Sequence, residues 1–280
     1  MNFKVVSLAI LCLPLLSGCK SSVHQEKYDN ADKYLVGSQT YTDRVESISV
    51  EWICGKVDLV EDETIVGAKL EEDTPYGDKE KVHSYLSDGK LDVRFMESNH
   101  RAYIESKYKV LKLTFNPNLD KFAASITSGV LTLNRISAND VSITATSGKI
   151  DVGTIVSSKT YVKATSGEIQ LNNVVSEETT FEMTSGSIST GSIIAKTFKF
   201  NATSGSSAFK FDALENGEIK FTSGSTKVKM PESGAKVGVE KTSGSVNHSD
   251  KYSSFGSTYS YGDEKSVLAI NITSGSIYLS

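Results

Sequence analysis

The sequence predicts an all-β fold, a β-solenoid with rungs of about 19 residues and two strands per rung. Three observations predict it. A Thr-Ser-Gly tripeptide recurs at fixed spacing, the residues around it alternate apolar and polar, and long helical periodicities are absent. The composition agrees: 4 prolines, 21 glycines and abundant Ser, Thr, Ile and Val suit many short strands joined by turns. With 280 residues the chain can bury a sizeable core. Its 30 basic and 34 acidic residues are interspersed, net charge −4, so no basic field for nucleic acid and no polybasic cluster for anionic lipid is present.

The chain opens on a processing signal. Lys4 precedes an almost wholly apolar run from Val5 to Leu16, broken by Ser7 and Pro14. That run is too short to span a bilayer as a helix, which needs about 20 residues. Leu16-Ser17-Gly18-Cys19 follows, and it resembles the lipobox of bacterial lipoproteins. The resemblance implies removal of residues 1–18, diacylglycerol on the Cys19 thiol and acylation of the new amine. Two or three acyl chains anchor stably, each buried CH₂ adding about 0.8 kcal/mol. Lys20 follows, where an aspartate would be that family's usual retention signal, which points to the outer membrane in a Gram-negative host. Cys12 leaves with the signal and Cys19 takes lipid, so Cys54 alone remains a thiol and no internal disulfide forms. Residues 19–45 read as the lipidated cysteine and a polar tether.

Solenoid is expected over 46–280, irregular over 46–110 and regular from 111. Ile53-Cys54-Gly55-Lys56-Val57-Asp58-Leu59 aligns with Thr146-Ser147-Gly148-Lys149-Ile150-Asp151-Val152, which puts Cys54 in the Ser position. Ser87-Asp88-Gly89-Lys90-Leu91-Asp92-Val93 reads as a second degenerate copy.

The clear copies begin at Thr127, Thr146, Thr165, Thr184, Thr203 and Thr222, each 19 residues after the last, and continue at Thr242 and Thr273 after gaps of 20 and 31. After each corner an alternating strand runs outward from Gly, such as Ile150 and Val152 against Lys149 and Asp151, or Ile169 and Leu171 against Glu168 and Gln170. A second strand precedes each corner, with Val141, Ile143 and Ala145, then Phe198, Phe200 and Ala202 facing in. Polar turns such as Ser157-Ser158-Lys159 separate the two. A lone rung leaves its strand edges unpaired, and stacking satisfies them while aligning apolar residues in columns. About ten rungs at ~4.8 Å give a rod on the order of 50 Å long. The inward phase breaks at Ser-Gly, so the chain must bend there, where glycine frees the backbone. Continued alternation would turn Ser inward and Thr outward.

The serial Thr-Ser-Gly-x-Ile units, the lead-in strand Leu111 to Pro117 and the ending Tyr261-Gly262-Asp263 to Thr273-Ser274-Gly275-Ser276-Ile277 resemble the bacterial putative-adhesin family of β-strand repeat proteins, a domain of unknown function. The resemblance covers residues 110–280 well and earlier residues weakly. It implies a β-solenoid with no established catalytic residues, so none is carried over.

Reactive constellations do not appear in the sequence. His24, His83, His100 and His248 lie far apart without metal-ligand spacing and read as solvated surface residues. There is no calcium-binding Gly-Gly-x-Gly-x-Asp run, nucleophile elbow, P-loop or dinucleotide fingerprint. A polysaccharide-cleaving β-helix, the main alternative, needs carboxylates gathered on one face. The outward columns Lys149, Glu168, Ser187 and Asp151, Gln170, Ser189, Ala208 do not gather them. An ice-binding face needs a broader threonine array than one Thr per corner. The long gap before Thr273 holds Tyr252, Phe255, Tyr259 and Tyr261, which fit either partner contacts or a flap over the end of the stack. The reading is a non-enzymatic, lipid-anchored envelope module that needs no cofactor, and its partner is an envelope protein or glycan.

Overall fold

The computed structural model describes residues 20–280; the expected signal segment and Cys19 lie outside the described residues. Apart from three single-turn 3-10 helices, every regular element among them is a β-strand. Alternation explains which side chains go in. Ile169 and Leu171 are buried while Glu168 between the corner and Ile169 is exposed, and the same holds for Val162 and Ala164 against Lys163.

Successive repeats pair as parallel strands, at an offset that holds except for a register shift at Ile193. Leu131 lies opposite Ile150, Leu133 opposite Val152, Ile136 opposite Ile155, Ile143 opposite Val162 and Ala145 opposite Ala164. Ser206 and Val228's neighbour layer continue the pattern, with Ser206 opposite Ser225 and Phe209 opposite Val228. Like residues therefore stack on like, and one continuous core forms from apolar columns. Where a column turns polar it satisfies itself: Ser207 and Thr226 are both buried, and their hydroxyls meet at 2.8 Å. Outward columns pair charges at the same offset, Lys149 with Glu168 at 3.4 Å and Glu177 with Lys196 at 2.6 Å.

Glycine at the corner follows from close stacking. A Cβ on Gly148 would stand 2.6 Å from the Gly129 carbonyl oxygen, closer than carbon and oxygen approach. At Gly224 the φ of +122° adds a backbone conformation that L side chains rarely adopt. Ser does not turn inward there. The serine at 147, 166 and 223 is exposed along with the threonine before it, because the chain bends at the corner and both residues fall on its outer side.

Stacking order departs from chain order at both ends. The next-to-last strand, Ser266–Ile272, lies between Ser206–Phe221 and Gly234–Lys241, with Ile272 opposite Phe221 on one side and Lys241 on the other. The Thr273 repeat is thus inserted between those of Thr222 and Thr242. The long gap before it forms a hairpin, Ser253–Phe255 with Thr258–Gly262, that pairs antiparallel on the outer edge of Gly234–Lys241. At the other end, Ser47–Glu61 pairs with Leu119–Ala145 and places Cys54 opposite Ser128. Its outer edge takes Lys90–Arg94 and Val110–Phe115.

Two sequence expectations change here. Ser87-Asp88-Gly89 is not a corner. Asp88 and Gly89 have φ of 50° and 73° and form a two-residue hairpin turn between the antiparallel strands His83–Ser87 and Lys90–Arg94. Leu91 and Val93 consequently stack on Ile48 and Val50, before the corner instead of after it. Nor do residues 20–45 form a free tether. Lys20–His24 pairs antiparallel with Arg101–Glu105, and Val23, Tyr28, Tyr34 and Val45 are buried.

Candidate functional site

Each corner presents its threonine and serine to solvent, but the two are used differently. The serine is tied into the stack: Ser185 Oγ donates to the Thr165 carbonyl at 3.2 Å, Ser204 to Thr184 at 3.3 Å and Ser243 to Thr273 at 3.1 Å. Thr184, Thr203, Thr222, Thr273 and Thr242 stand exposed beside them as a row.

A second row runs parallel to the threonines, two residues earlier in each layer. In stacking order it reads Lys163, Glu182, Asn201, Lys220, Asn271 and Glu240, with register partners Asn201–Lys220, Lys220–Asn271 and Asn271–Glu240. Between the rows, Met183, Ala202, Phe221 and Ile272 form a floor. Small Ala202 beside bulky Met183 and Phe221 deepens it. The result is an open groove of about 780 Å³ running along the stack.

The chemistry of this groove is recognition by many weak donors and acceptors. Hydroxyls, two amides and alternating charges repeat with the strand spacing of about 4.8 Å. Glu182 is already engaged, 3.4 Å from Lys163 Nζ and accepting from Tyr161 Oη at 2.8 Å. Burial and that carboxylate push the Tyr161 phenol up to about 12. Among the described residues no group of three or more His, Cys, Asp and Glu side chains could hold a metal ion.

The structure separates the four aromatic candidates of the end hairpin. Tyr252 is buried against Tyr261, ring centroids 4.7 Å apart, and burial raises its pKa. Tyr261 Oη donates to the Pro231 carbonyl at 2.5 Å, and Tyr259 packs 5.2 Å from His248. These three hold the hairpin onto the end of the stack. Phe255, 92% exposed, alone projects from it. Cys19, the expected lipid site, lies outside the described residues.

Among the histidines, His83 departs from the solvated reading. It is buried, with Nδ1 3.0 Å from the Lys81 carbonyl, because the strand His83–Ser87 turns it inward. Sequence reasoning also missed the buried ion pair of Lys109 and Glu72. Glu72 sits in the acidic run Glu71-Glu72-Asp73, which reads as solvated. The groove's second row was missed as well, since its members align only once the stacking order is known.

Stacked parallel layers with a polar groove along one corner define a β-strand repeat domain. The chain belongs to the Toastrack DUF4097 family, whose model matches residues 43–280. A comparison with curated proteins found no match. The fold is similar to the crystal structure of a "putative lipid binding protein" from Parabacteroides distasonis, at 15% identity and a TM-score of 0.51, covering 89% of this chain and 97% of that one. It is also similar to a "putative adhesin" from the same species, at 12% identity and a TM-score of 0.50, covering 91% and 100%. At such identities the likeness is one of fold.

Proposed function

We propose that the protein is a non-enzymatic envelope module, anchored by lipid on Cys19, whose stacked layers are 19-residue rungs of a closed β-solenoid. The groove beside the threonine row is its binding surface and takes an extended polar chain, best matched by a glycan. The observation that carries this reading is the continuity of the groove, in which donors and acceptors repeat layer after layer from Lys163 to Glu240. A repeating polymer meets a repeating surface, so individually weak contacts add along its length. Glu182 is held by Lys163 and Tyr161, which makes it an acceptor for binding more than an acid–base group. The adhesin and lipid-binding descriptions of the structural neighbours are in keeping with an envelope location. The lipobox pattern Leu16-Ser17-Gly18-Cys19 supports the anchor, and Lys20 after it supports the outer membrane of a Gram-negative host.

The test is titration of the detergent-solubilised full chain with a panel of envelope and host polysaccharides, beside Asn201→Ala/Lys220→Ala. The reading expects saturable binding to one polymer class, weakened at least tenfold in the double variant, with no release of reducing ends. Binding that survives the double variant, or turnover lost on removing a carboxylate, contradicts it. For the anchor, Cys19→Ala should move the protein from the detergent phase to the aqueous phase, and persistence in the detergent phase contradicts the lipobox reading.

A further inference from the structure

The first described residue after the proposed lipid site is already part of the folded body. Lys20 pairs with Glu105, Ser22 with Tyr103 and His24 with Arg101 in an antiparallel ribbon. Adjacent Cα atoms are about 3.8 Å apart, so Cys19 lies within one residue of that ribbon. The ribbon is fastened to the protein beneath it. Val23 and Ile104 on its inner face are buried, Gln25 N donates to the His100 carbonyl at 2.9 Å, and Tyr28 Oη reaches the Met96 carbonyl at 3.2 Å.

The outer face has a distinct chemistry. Side chains alternate across a strand, so Lys20, Ser22 and His24 share one face with Arg101, Tyr103 and Glu105. Tyr103 is 71% exposed, and Lys20 and Arg101 are exposed on either side of it. The following turn adds Tyr108, 42% exposed, with the Lys107 ammonium 4.5 Å from its ring centroid. Glu105 is shared by Lys20 at 3.8 Å and Lys107 at 3.3 Å, and the Glu26 carboxylate stands 3.1 Å from His24 Nδ1. Exposed tyrosines rimmed by Lys and Arg suit the headgroup layer of a bilayer, where the ring sits at the apolar boundary and the cations reach phosphates.

We infer that the protein is seated directly on the membrane through this ribbon face, with no free linker between its acyl chains and its folded body. The inference rests on the lipid-anchor reading. Acyl chains at Cys19 hold the adjoining strand at the bilayer surface, and Tyr103 and Tyr108 supply the second contact that fixes orientation. The hairpin bearing Phe255 closes the opposite end of the stack and is carried away from the bilayer.

The experiment uses the lipidated full chain in phosphatidylethanolamine–phosphatidylglycerol vesicles. A fluorophore is placed on Ser22→Cys, beside Tyr103 on the ribbon face, or on Phe255→Cys, both exposed positions; Cys54 is buried and stays unlabelled. Vesicles carry a quencher at headgroup depth. The seat predicts quenching at position 22 several-fold above that at 255. Equal, weak quenching at both positions in protein that still floats with the vesicles overturns the seat and leaves the anchor standing. Failure to float removes the anchor, and the seat with it.

Discussion

The ammonium of Lys109 lies 2.5 Å from Oε1 of Glu72, and neither side chain reaches solvent. Lys109 stands at the outermost corner, against Gly55, and its backbone carbonyl accepts from Lys56 N. Its Nζ also meets the Glu80 carbonyl and sits between the rings of Trp52 and Phe95, at 5.2 and 4.7 Å. The other oxygen of Glu72 accepts from Val82 N. One buried pair therefore clamps the 68–82 segment onto the end of the stack.

Removing one member should cost more than removing both. Lys109→Met leaves a buried carboxylate without its cation, a loss of about 3–5 kcal/mol. Lys109→Met/Glu72→Met should recover most of it, because the site is already walled by aromatic rings. Urea denaturation of the three proteins measures this. A double variant no more stable than the single would mean that the pair is not the clamp.

His83 gives this end a pH dependence. Burial holds its pKa below the ordinary value, against smaller opposing effects of the Lys81 carbonyl, Glu97 and Glu72, with Lys109 acting in the same direction as burial. The unfolded chain then binds a proton at higher pH than the folded one, so stability falls as pH drops through 6.5 toward the folded pKa. His83→Gln keeps a donor for the Lys81 carbonyl but cannot titrate. The wild-type urea midpoint should fall further than the variant's between pH 7 and 5.5. Parallel curves would contradict it.

Corner glycines should tolerate alanine far less than a strand glycine with room around it. Gly148→Ala drives a Cβ onto the Gly129 carbonyl and should cost about 1–3 kcal/mol. Gly238 has nothing within 4 Å of the same position, so Gly238→Ala should be neutral or gain a few tenths of a kcal/mol. Thermal melts of both variants check the contrast, and equal shifts would contradict it.

The sequence made the position of a residue within its layer legible, and left the order of the layers hidden. Equal spacing puts Ile150 and Leu131 in one column, and the same pattern puts Cys54 in the serine position, where it stacks on Ser128. A parallel ladder repeats the same column positions in every layer, so Thr273 fits equally beside Thr222 or Thr242 on pattern alone. Only the hairpin that reverses the chain between them places it inside. Ser87-Asp88-Gly89 misled because Asp-Gly serves a tight hairpin as readily as a corner. Residues 20–45 carry Val23, Tyr28 and Tyr34 without periodicity, and their partners lie some 70 residues away, as with Tyr28 and Ser98. The groove's second row depends on that same hidden order.

Deleting one repeat tests the central claim of stacked 19-residue layers most directly. Removal of Thr165 through Met183 joins Ala164 to Thr184, recreating the Ala-Thr-Ser-Gly junction found at Ala145. Ile188 then stacks on Ile150, and Ile193 on Ile155, with every column in register. Removal of Thr165 through Val174 alone joins halves of different strands and sets apolar residues against turns. The measurement is solubility and circular-dichroism melting of both proteins. The 19-residue deletion should give a soluble β protein with one cooperative transition, lowered by about one layer and one interface, while the ten-residue deletion aggregates or is degraded. Equal behaviour of the two deletions would contradict the stacked architecture.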